Sequence, residues 1–496
     1  MKRILHFALA LCMTLSLLTA GVGAKAAEPE LAERTYAILS ESSVSVTVKT
    51  PCAAKVLFAV YDADRRLLGV SVCNETAADK DVTISVACEP DNAAHGKVFF
   101  LDDNWRPAAK ALDVSIPVIT MNEAFGLPKD MRFIENPQTE AELAGNVLWC
   151  FAHGEYEIGM NISSHIQGMP KRVDMYAGIH TIAGPLPELA GMYGNQSMTF
   201  CCGGDGDKKL VLRLGDSADF SVLEPAACYE RQKQAYFKAL EIHDRLHESG
   251  KITDGMTQRE IAQVYYDYMV AQRETMTQAH GPSATIAQAI IEDSAYGALC
   301  YKSASCVGRA AALNMLLHTE GIACCEVCGQ VVTQDGGGGG HGVSYMILDG
   351  EVYMGDWGNT KGIERPEVFY PNFHVDPASL AAAERVINGD FSGMIAGSPM
   401  EVRVTGDRKL SVTLPDFRGF KNTDMRSISF SFFAEKRRGT KQGGGDDMTI
   451  DGNTLTIDYS DVPSLSNDEL WNNVLSTGEF VLRVRGDTWF ASGITN

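Results

Sequence analysis

Apolar and polar residues alternate in short runs along residues 35–117. Val44, Val46 and Val48 alternate with serine, threonine and lysine, and Val56–Tyr61 is a continuous apolar run. Further runs of the same kind are Leu67–Val72, Val82–Val86 and Val98–Leu101. A period of two places one face of a strand in a core, and short strands at regular spacing are typical of a β-sandwich. The pattern therefore predicts a β-sandwich over residues 33–117.

The pattern changes at residue 118. Residues 118–138 are interpreted as a linker because of Pro117, Pro128 and Pro137. Helices are predicted over Glu140–Cys150 and from Tyr229 to about Ser249. Thr257-Gln258-Arg259-Glu260 is a capping box, in which two side chains satisfy backbone amides reciprocally. The apolar residues behind it recur at helical spacing and predict a helix over 257–280: Ile261, Val264, Tyr265, Tyr268 and Met269.

Strand patterns return at about Met400. The predicted strands are Val402–Val404, Lys409–Leu414, Ser427–Phe433, Leu455–Tyr459 and Glu479–Val484. We therefore predict an α+β chain in which a mixed domain over 139–395, with its core at 250–360, lies between the N-terminal module and a second β module over 396–496.

The first 26 residues have the features of a secretory signal peptide. Lys2-Arg3 precedes an apolar run from Ile4 to about Leu18, and Ala24-Lys25-Ala26 is a small-residue cleavage site, with Val22-Gly23-Ala24 as a second candidate. The alternative is an uncleaved anchor helix, for which the run is short, since spanning takes about 20 apolar residues. The sequence thus predicts a secreted protein, extracellular or associated with the cell wall, with no membrane span after cleavage.

Charge and cysteine content narrow the function classes. The net charge is -20 and becomes -23 without the basic signal segment, which argues against nucleic acid as a partner and against charge-driven binding to anionic membranes. Thirteen cysteines, twelve of them after cleavage, are compatible with disulfides in a secreted chain. If one thiol acts as a nucleophile, it has to stay reduced.

Cys306 has the strongest chemical signal in the chain. Cys306, Ala310, Leu313 and Leu317 share one face of a helix that starts near the cysteine. A cysteine at a helix N-terminus faces unpaired amides and the positive end of the helix dipole, which lowers the thiol pKa and favours the thiolate. The same amides are suited to stabilise an oxyanion.

A histidine and an aspartate follow at positions that a hairpin brings together. Asp349-Gly350 predicts a two-residue turn between strands Ser344–Leu348 and Val352–Gly355. His341 is expected just before the first strand and Asp356 at the end of the second, so the two side chains can meet. An imidazole can deprotonate the thiol and a carboxylate can orient the imidazole.

These features in this order resemble the bacterial transglutaminase-like superfamily. The resemblance covers about residues 250–360 and implies a papain-like α+β core, with Cys306 as nucleophile, His341 as general base and acid, and Asp356 orienting the histidine. It also implies acyl transfer through a thioester that is released by water, as in a peptidase or amidase, or by an amine, as in a cross-linker. The chain departs from the family pattern after the histidine, where Gly342-Val343-Ser344 replaces Ala-Trp-Asn, and after the aspartate, where Trp357-Gly358-Asn359 replaces Thr-Trp.

The N-terminal module separately resembles the immunoglobulin- or fibronectin-like modules of secreted Gram-positive proteins, in its strand order and in Trp105-Arg106-Pro107. The primary hypothesis is therefore a secreted cysteine enzyme that acts on amide or peptide bonds of a protein, peptide or cell-wall peptide, more a protease or amidase than a cross-linker. The alternatives are a catalytically degenerate surface or cell-wall binding protein with the same fold, and a cell-wall peptidase of another papain-like family.

Other motifs have simpler interpretations. Cys325 and Cys328 lie within a predicted strand without a second pair at zinc spacing, so they are interpreted as structural. His243 and His247 are four residues apart on a helix, but without a third clear ligand they indicate an exposed helical face. Gly336–Gly340 is interpreted as a loop tip, because no Lys-Ser/Thr follows it. No cofactor and no metal are expected.

Overall fold

The computed structural model describes residues 34–40, 42–154, 225–277, 285–332, 338–359, 362–369, 372–392, 398–414, 428–434, 437–442, 448–462, 468–484, 487–491 and 493–495, with four short strands between 158 and 214 and single residues 186, 188, 279 and 465. The predicted signal peptide lies outside the described residues. Among the described residues, no helix has the length and apolarity that a membrane crossing needs.

The N-terminal part consists of two sheets that share one core. Its strands are β1 (Thr35–Tyr36), β2 (Ile38–Ser40), β3 (Ser43–Lys49), β4 (Ala54–Tyr61), β5 (Leu67–Thr76), β6 (Asp81–Ala87), β7 (His95–Leu101) and β8 (Leu112–Ser115). One sheet has the order β1-β8-β7-β4-β5 and the other the order β2-β3-β6. Val46 and Ile84 of the smaller sheet are buried with Val56, Phe58 and Phe100 of the larger one. The strands predicted from alternation are confirmed.

Residues 118–138 pack more closely than a linker would. Helix α1 (Met121–Ala124) begins with a capping box between Thr120 and Glu123. Ile119, Phe125 and Leu127 are buried in the central core. The segment is therefore a packed connection, because its apolar side chains have a hydrophobic cluster to enter.

Helices form most of the central core. They are α2 (Glu140–His153), α3 (Pro225–Glu248), α4 (Gln258–Gln272), α5 (Ile286–Glu292) and α6 (Cys306–His318). The predicted capping box begins α4, whose buried face includes Tyr265 and Met269. Helix α4 ends before the predicted residue 280 and continues as a 3-10 turn, Arg273–Thr275. Four short strands lie between α2 and α3: β9 (Ile158–Asn161), β10 (Tyr176–Gly178), β11 (Ser197–Cys202) and β12 (Lys209–Leu214).

A five-stranded antiparallel sheet follows α6. Its elements are β13 (Cys324–Val332), β14 (Gly338–Leu348), β15 (Glu351–Gly355), β16 (Ile363–Glu364), α7 (Pro366–Phe369), β17 (Phe373–Val375) and α8 (Pro377–Ile387), with strand order β16-β15-β14-β13-β17. Leu313 of α6 is buried with Met346 on one face, and Ala383 of α8 is buried with Val327 and Tyr345 on the other. Helix α6 is thereby held against the strands that carry the histidine and the aspartate.

The hairpin between β14 and β15 is confirmed, and its first strand is longer than predicted. Asp349 and Gly350 both have positive φ, 53° and 83°, as a twisted two-residue hairpin turn requires. His341 was expected just before the strand, but it lies within β14, opposite Gly329. The reason is that Gly338–Gly340 pair with the end of β13, so at least these glycines are strand residues and not a loop tip.

The C-terminal part again consists of two sheets. Its elements are β18 (Ser398–Pro399), β19 (Glu401–Gly406), β20 (Lys409–Thr413), β21 (Ser429–Ala434), β22 (Arg437–Gln442), β23 (Met448–Asp451), β24 (Thr454–Asp458), α9 (Asp468–Thr477), β25 (Glu479–Val484) and β26 (Asp487–Ala491). The sheet orders are β18-β26-β25-β21-β22 and β19-β20-β24-β23. Val412 and Leu455 of one sheet are buried with Phe430 and Leu482 of the other. The α+β class is confirmed.

Candidate active site

The start of helix α6 is held by hydrogen bonds and close packing. The Ser305 hydroxyl caps the helix by accepting from the Gly308 amide at 3.4 Å and donates to the Asp293 carboxylate. The Ser305 amide donates to the Glu292 carbonyl at 2.9 Å. A Cβ atom at Gly308 would overlap that carbonyl, so glycine permits the close approach. Cys306 is therefore presented at a rigid helix N-terminus.

The environment of Cys306 stabilises a thiolate. Burial by itself raises the pKa of Cys306, but hydrogen bonds from His341 and from the Gly342 and Val307 amides outweigh it and lower the pKa below its ordinary value. These amides include one from the helix N-terminus and one from strand β14. The combination matches the physical conditions that activate cysteine nucleophiles.

His341 connects the cysteine to Asp356. Its Nε2 lies 2.8 Å from Oδ2 of Asp356, which leaves Nδ1 as the nitrogen available to Cys306. Burial lowers the pKa of His341, but the hydrogen bonds to Asp356 and Cys306 raise it to about 10. Burial raises the pKa of Asp356, whereas hydrogen bonds from His341 and Asn359 bring it below its usual range. The three groups thus favour a thiolate, an imidazolium and a carboxylate, and they titrate as one coupled unit.

Asn359 is a polar partner that the sequence argument did not assign. The side-chain Nδ2 of Asn359 donates to Asp356 Oδ2 at 2.8 Å, and the backbone N–H of Asn359 donates to Asp356 Oδ1 at 3.2 Å. Short Asp and Asn side chains commonly bond to nearby backbone in this way, so the Asp-x-x-Asn spacing is a usable signal. Both carboxylate oxygens of Asp356 are therefore occupied, which fixes its plane against the imidazole.

Trp357 ties the aspartate turn to helix α6. The indole Nε1 donates to the Arg309 carbonyl at 2.8 Å, and the Arg309 guanidinium lies 5.6 Å from the centre of the ring system. The indole is buried, 1% exposed. This contact holds the end of β15 beside the first turn of the helix that carries Cys306.

Glu326 is a buried acid next to this site. It is 3% exposed in β13, and its Oε1 accepts from the Cys328 thiol at 3.7 Å. A Cβ atom at Gly342 would overlap that same oxygen. Burial raises the pKa of Glu326 well above its usual range, and the nearby charge of Cys306 raises it further. This residue was not assigned from the sequence; the usable signal is an acidic residue within a mostly apolar predicted strand.

The remaining sequence interpretations have mixed outcomes. Asp349, the carboxylate of the predicted hairpin turn, accepts from the Gln258 and Arg259 amides and so helps to cap helix α4. None of the ten cysteines whose side chains the structure describes forms a disulfide, and Cys306 is one of these ten. The exposed-face interpretation of His243 is wrong, because the packing of α3 against its neighbours leaves it only 8% exposed.

Comparison with models of known protein families found no match, and comparison with curated protein sequences found none either. The assignment of a function therefore rests on the residues and their geometry.

Proposed function

We propose that this protein is a secreted, transglutaminase-like cysteine enzyme with a papain-like core that acts on amide or peptide bonds through a thioester. The observation that carries the proposal is the connected Cys306–His341–Asp356 set, in which one imidazole nitrogen faces the thiol and the other bonds to the carboxylate at 2.8 Å. Three residues, one from helix α6, one from strand β14 and one directly after strand β15, converge at one point, and the pKa shifts of all three favour the reactive ionisation state.

The geometry supports a two-step reaction. The Cys306 thiolate attacks the carbonyl carbon of an amide, and amides at the α6 N-terminus are suited to stabilise the oxyanion. The His341 imidazolium then protonates the leaving nitrogen as the C–N bond breaks, which leaves a thioester on Cys306. His341, now neutral, takes a proton from the attacking water or amine as the thioester is released. Asp356 keeps the imidazole oriented in both steps.

The experiment compares wild-type protein with Cys306→Ala on libraries of peptides and cell-wall fragments, with and without an added primary amine. Release of free acid without incorporation of the amine supports a protease or amidase, whereas incorporation of the amine supports a transferase. His95→Ala, a substitution of an exposed histidine in strand β7, is the control and should keep full activity. Identical turnover by wild type and Cys306→Ala would reject the proposal.

A catalytically degenerate binding protein with the same fold would be expected to have a different arrangement around Cys306. A Cys306 disulfide, or a His341 turned away from the cysteine, would favour it. Cys306 forms no disulfide and bonds to His341, so the geometry gives this alternative no specific support.

A further inference from the structure

A second cluster of ligand-type side chains lies away from Cys306. His243 and His247 lie one turn apart on helix α3, and Glu320 comes from the turn after helix α6. One side-chain atom from each of the three residues lies within 4.8 Å of the other two. The pair of histidines was visible in the sequence, but the third ligand comes from a residue 73 positions after His247.

The distances suit a metal ion of the size of zinc. Glu320 Oε1 lies 2.9 Å from His247 Nε2 and 3.6 Å from His243 Nε2. Zinc bonds to nitrogen and oxygen are about 2.0–2.2 Å long, so neighbouring ligand atoms of a tetrahedron are separated by about 3.4 Å. The observed separations lie on both sides of this value, and small side-chain rotations would equalise them.

The groups around His243 orient it as metal-binding histidines usually are oriented. Nδ1 of His243 lies 3.1 Å from Asp244 Oδ1, which favours a proton on Nδ1 and leaves Nε2 with its lone pair. Asp244 is itself held by Arg34 at 2.7 Å and by the Tyr36 hydroxyl at 2.8 Å. A carboxylate is one of the usual outer partners of a histidine that binds zinc.

Glu320 is oriented in a similar way. The Tyr265 hydroxyl of helix α4 donates to Glu320 Oε1 at 2.7 Å. The side chains of His243 and Glu320 are 10% and 12% exposed, whereas that of His247 is 33% exposed, so the cluster opens to solvent on one side only. The open side leaves room for water as a fourth ligand.

We propose that His243 Nε2, His247 Nε2 and Glu320 form a site for zinc or a similar divalent transition metal, completed by water. Helix α6 has Cys306 at its first residue and ends at His318, so its 13 residues separate the cysteine from this site by about 20 Å. At this distance from Cys306 the metal would have a stabilising role. It would link α3 to the end of α6, next to the ion pair between Arg34, which precedes strand β1, and Asp244 of α3.

The test is zinc binding to the full chain after chelator treatment and removal of the chelator. Wild type is expected to bind one zinc per chain and to unfold at a higher temperature with zinc than without it. His247→Ala and Glu320→Gln should each weaken binding at least tenfold and remove the thermal shift, whereas His95→Ala and Cys306→Ala should behave as wild type. Independence from Cys306 separates this proposal from the proposed catalytic function.

Cobalt substitution distinguishes this site from binding by cysteines. Cobalt in the His243, His247 and Glu320 site should give visible bands of a four- or five-coordinate ion without thiolate-to-cobalt charge transfer, and Glu320→Gln should abolish them. Circular dichroism of each variant without metal checks folding, and Glu320→Gln keeps the size of the side chain if His247→Ala folds poorly. Equal zinc affinity in wild type and both variants, thiolate bands, or no binding at all would overturn the proposal.

Discussion

Replacing Asp356 with asparagine tests whether the carboxylate maintains the charged cysteine–histidine pair. Asparagine keeps the shape of the side chain but carries no charge, and an amide does not favour an imidazolium as a carboxylate does at 2.8 Å. Burial lowers the pKa of His341, and the bonds to Asp356 and Cys306 raise it to about 10. In Asp356→Asn we expect this pKa to fall and, with the imidazolium lost, the pKa of the Cys306 thiol to rise.

The size of the effect follows from the fraction of thiolate. The pKa of His341 is raised above its ordinary value and that of Cys306 is lowered, so the ion pair forms as pH rises through the lowered pKa of Cys306 and is lost as pH rises through about 10. An ordinary thiol with a pKa of about 8.5 is about 3% ionised at pH 7 and about 0.3% at pH 6, so a fully formed thiolate offers at most ~300-fold more nucleophile at pH 6. The lower basicity of such a thiolate costs about a factor of ten in reactivity. The net advantage at pH 6 is therefore at most about thirtyfold.

The assay is the rate of iodoacetamide alkylation at Cys306, followed by peptide mapping in a mass spectrometer, with a cysteine peptide as reference. Wild type should reach a constant rate at a lower pH than Asp356→Asn, because the pKa of its thiol is lowered, whereas Asp356→Asn should gain about tenfold per pH unit up to about pH 8, as an ordinary thiol does. Asp349→Asn is the matched control, because Asp349 caps helix α4 and asparagine tolerates its positive φ. A wild-type rate that rises tenfold per unit, or a flat profile in Asp356→Asn, would refute the reasoning.

Three further substitutions test the supports of the site. Gly342→Ala places a Cβ against Glu326 and should lower the free energy of unfolding, measured by denaturant titration, by about 1–3 kcal/mol. If the overlap is the cause, the double variant with Glu326→Ala should recover at least half of this loss. Ser305→Ala removes the cap of helix α6 and should cost about 1 kcal/mol and slow the alkylation of Cys306, and an unchanged rate would show that the cap does not position this thiol. Trp357→Phe removes the 2.8 Å hydrogen bond from the indole to the part-buried Arg309 carbonyl and should lower stability by about 0.5–1.5 kcal/mol in thermal unfolding, and no loss would mean that water replaces the indole.

Local sequence signals were sufficient for the elements that carry the cysteine, histidine and aspartate. The helix from Cys306, the Asp349-Gly350 turn and the strands on both sides of it follow from periodicity and turn chemistry within about 50 residues. The position of His341 inside a strand did not follow from the sequence. Glycine has a weak strand preference, and only pairing with β13 makes Gly338–Gly340 part of a strand.

Contacts between distant segments were not accessible in this way. Glu320 meets His243 and His247 only because helices α3 and α6 pack together. Similarly, residues 118–138 have the prolines of a linker, and only the presence of the central hydrophobic cluster explains why Phe125 is buried. Sequence periodicity identifies faces, but it does not identify which faces meet.

The glycine that follows His341 has a physical explanation that involves strand β13. Any Cβ at Gly342 would overlap the Glu326 carboxyl. Glu326 faces the same side of the sheet as Ser344, its partner across the strands. Burial raises the pKa of Glu326, and the charge of the nearby Cys306 raises it further, because two negative charges repel each other. The glycine and the acid therefore belong together: the absence of a side chain at residue 342 leaves the space that the Glu326 carboxyl group occupies near Cys306. A protonated carboxyl group there offers a hydrogen-bond donor and does not compete with the cysteine for the positive charge of His341, so its presence is compatible with a reactive Cys306.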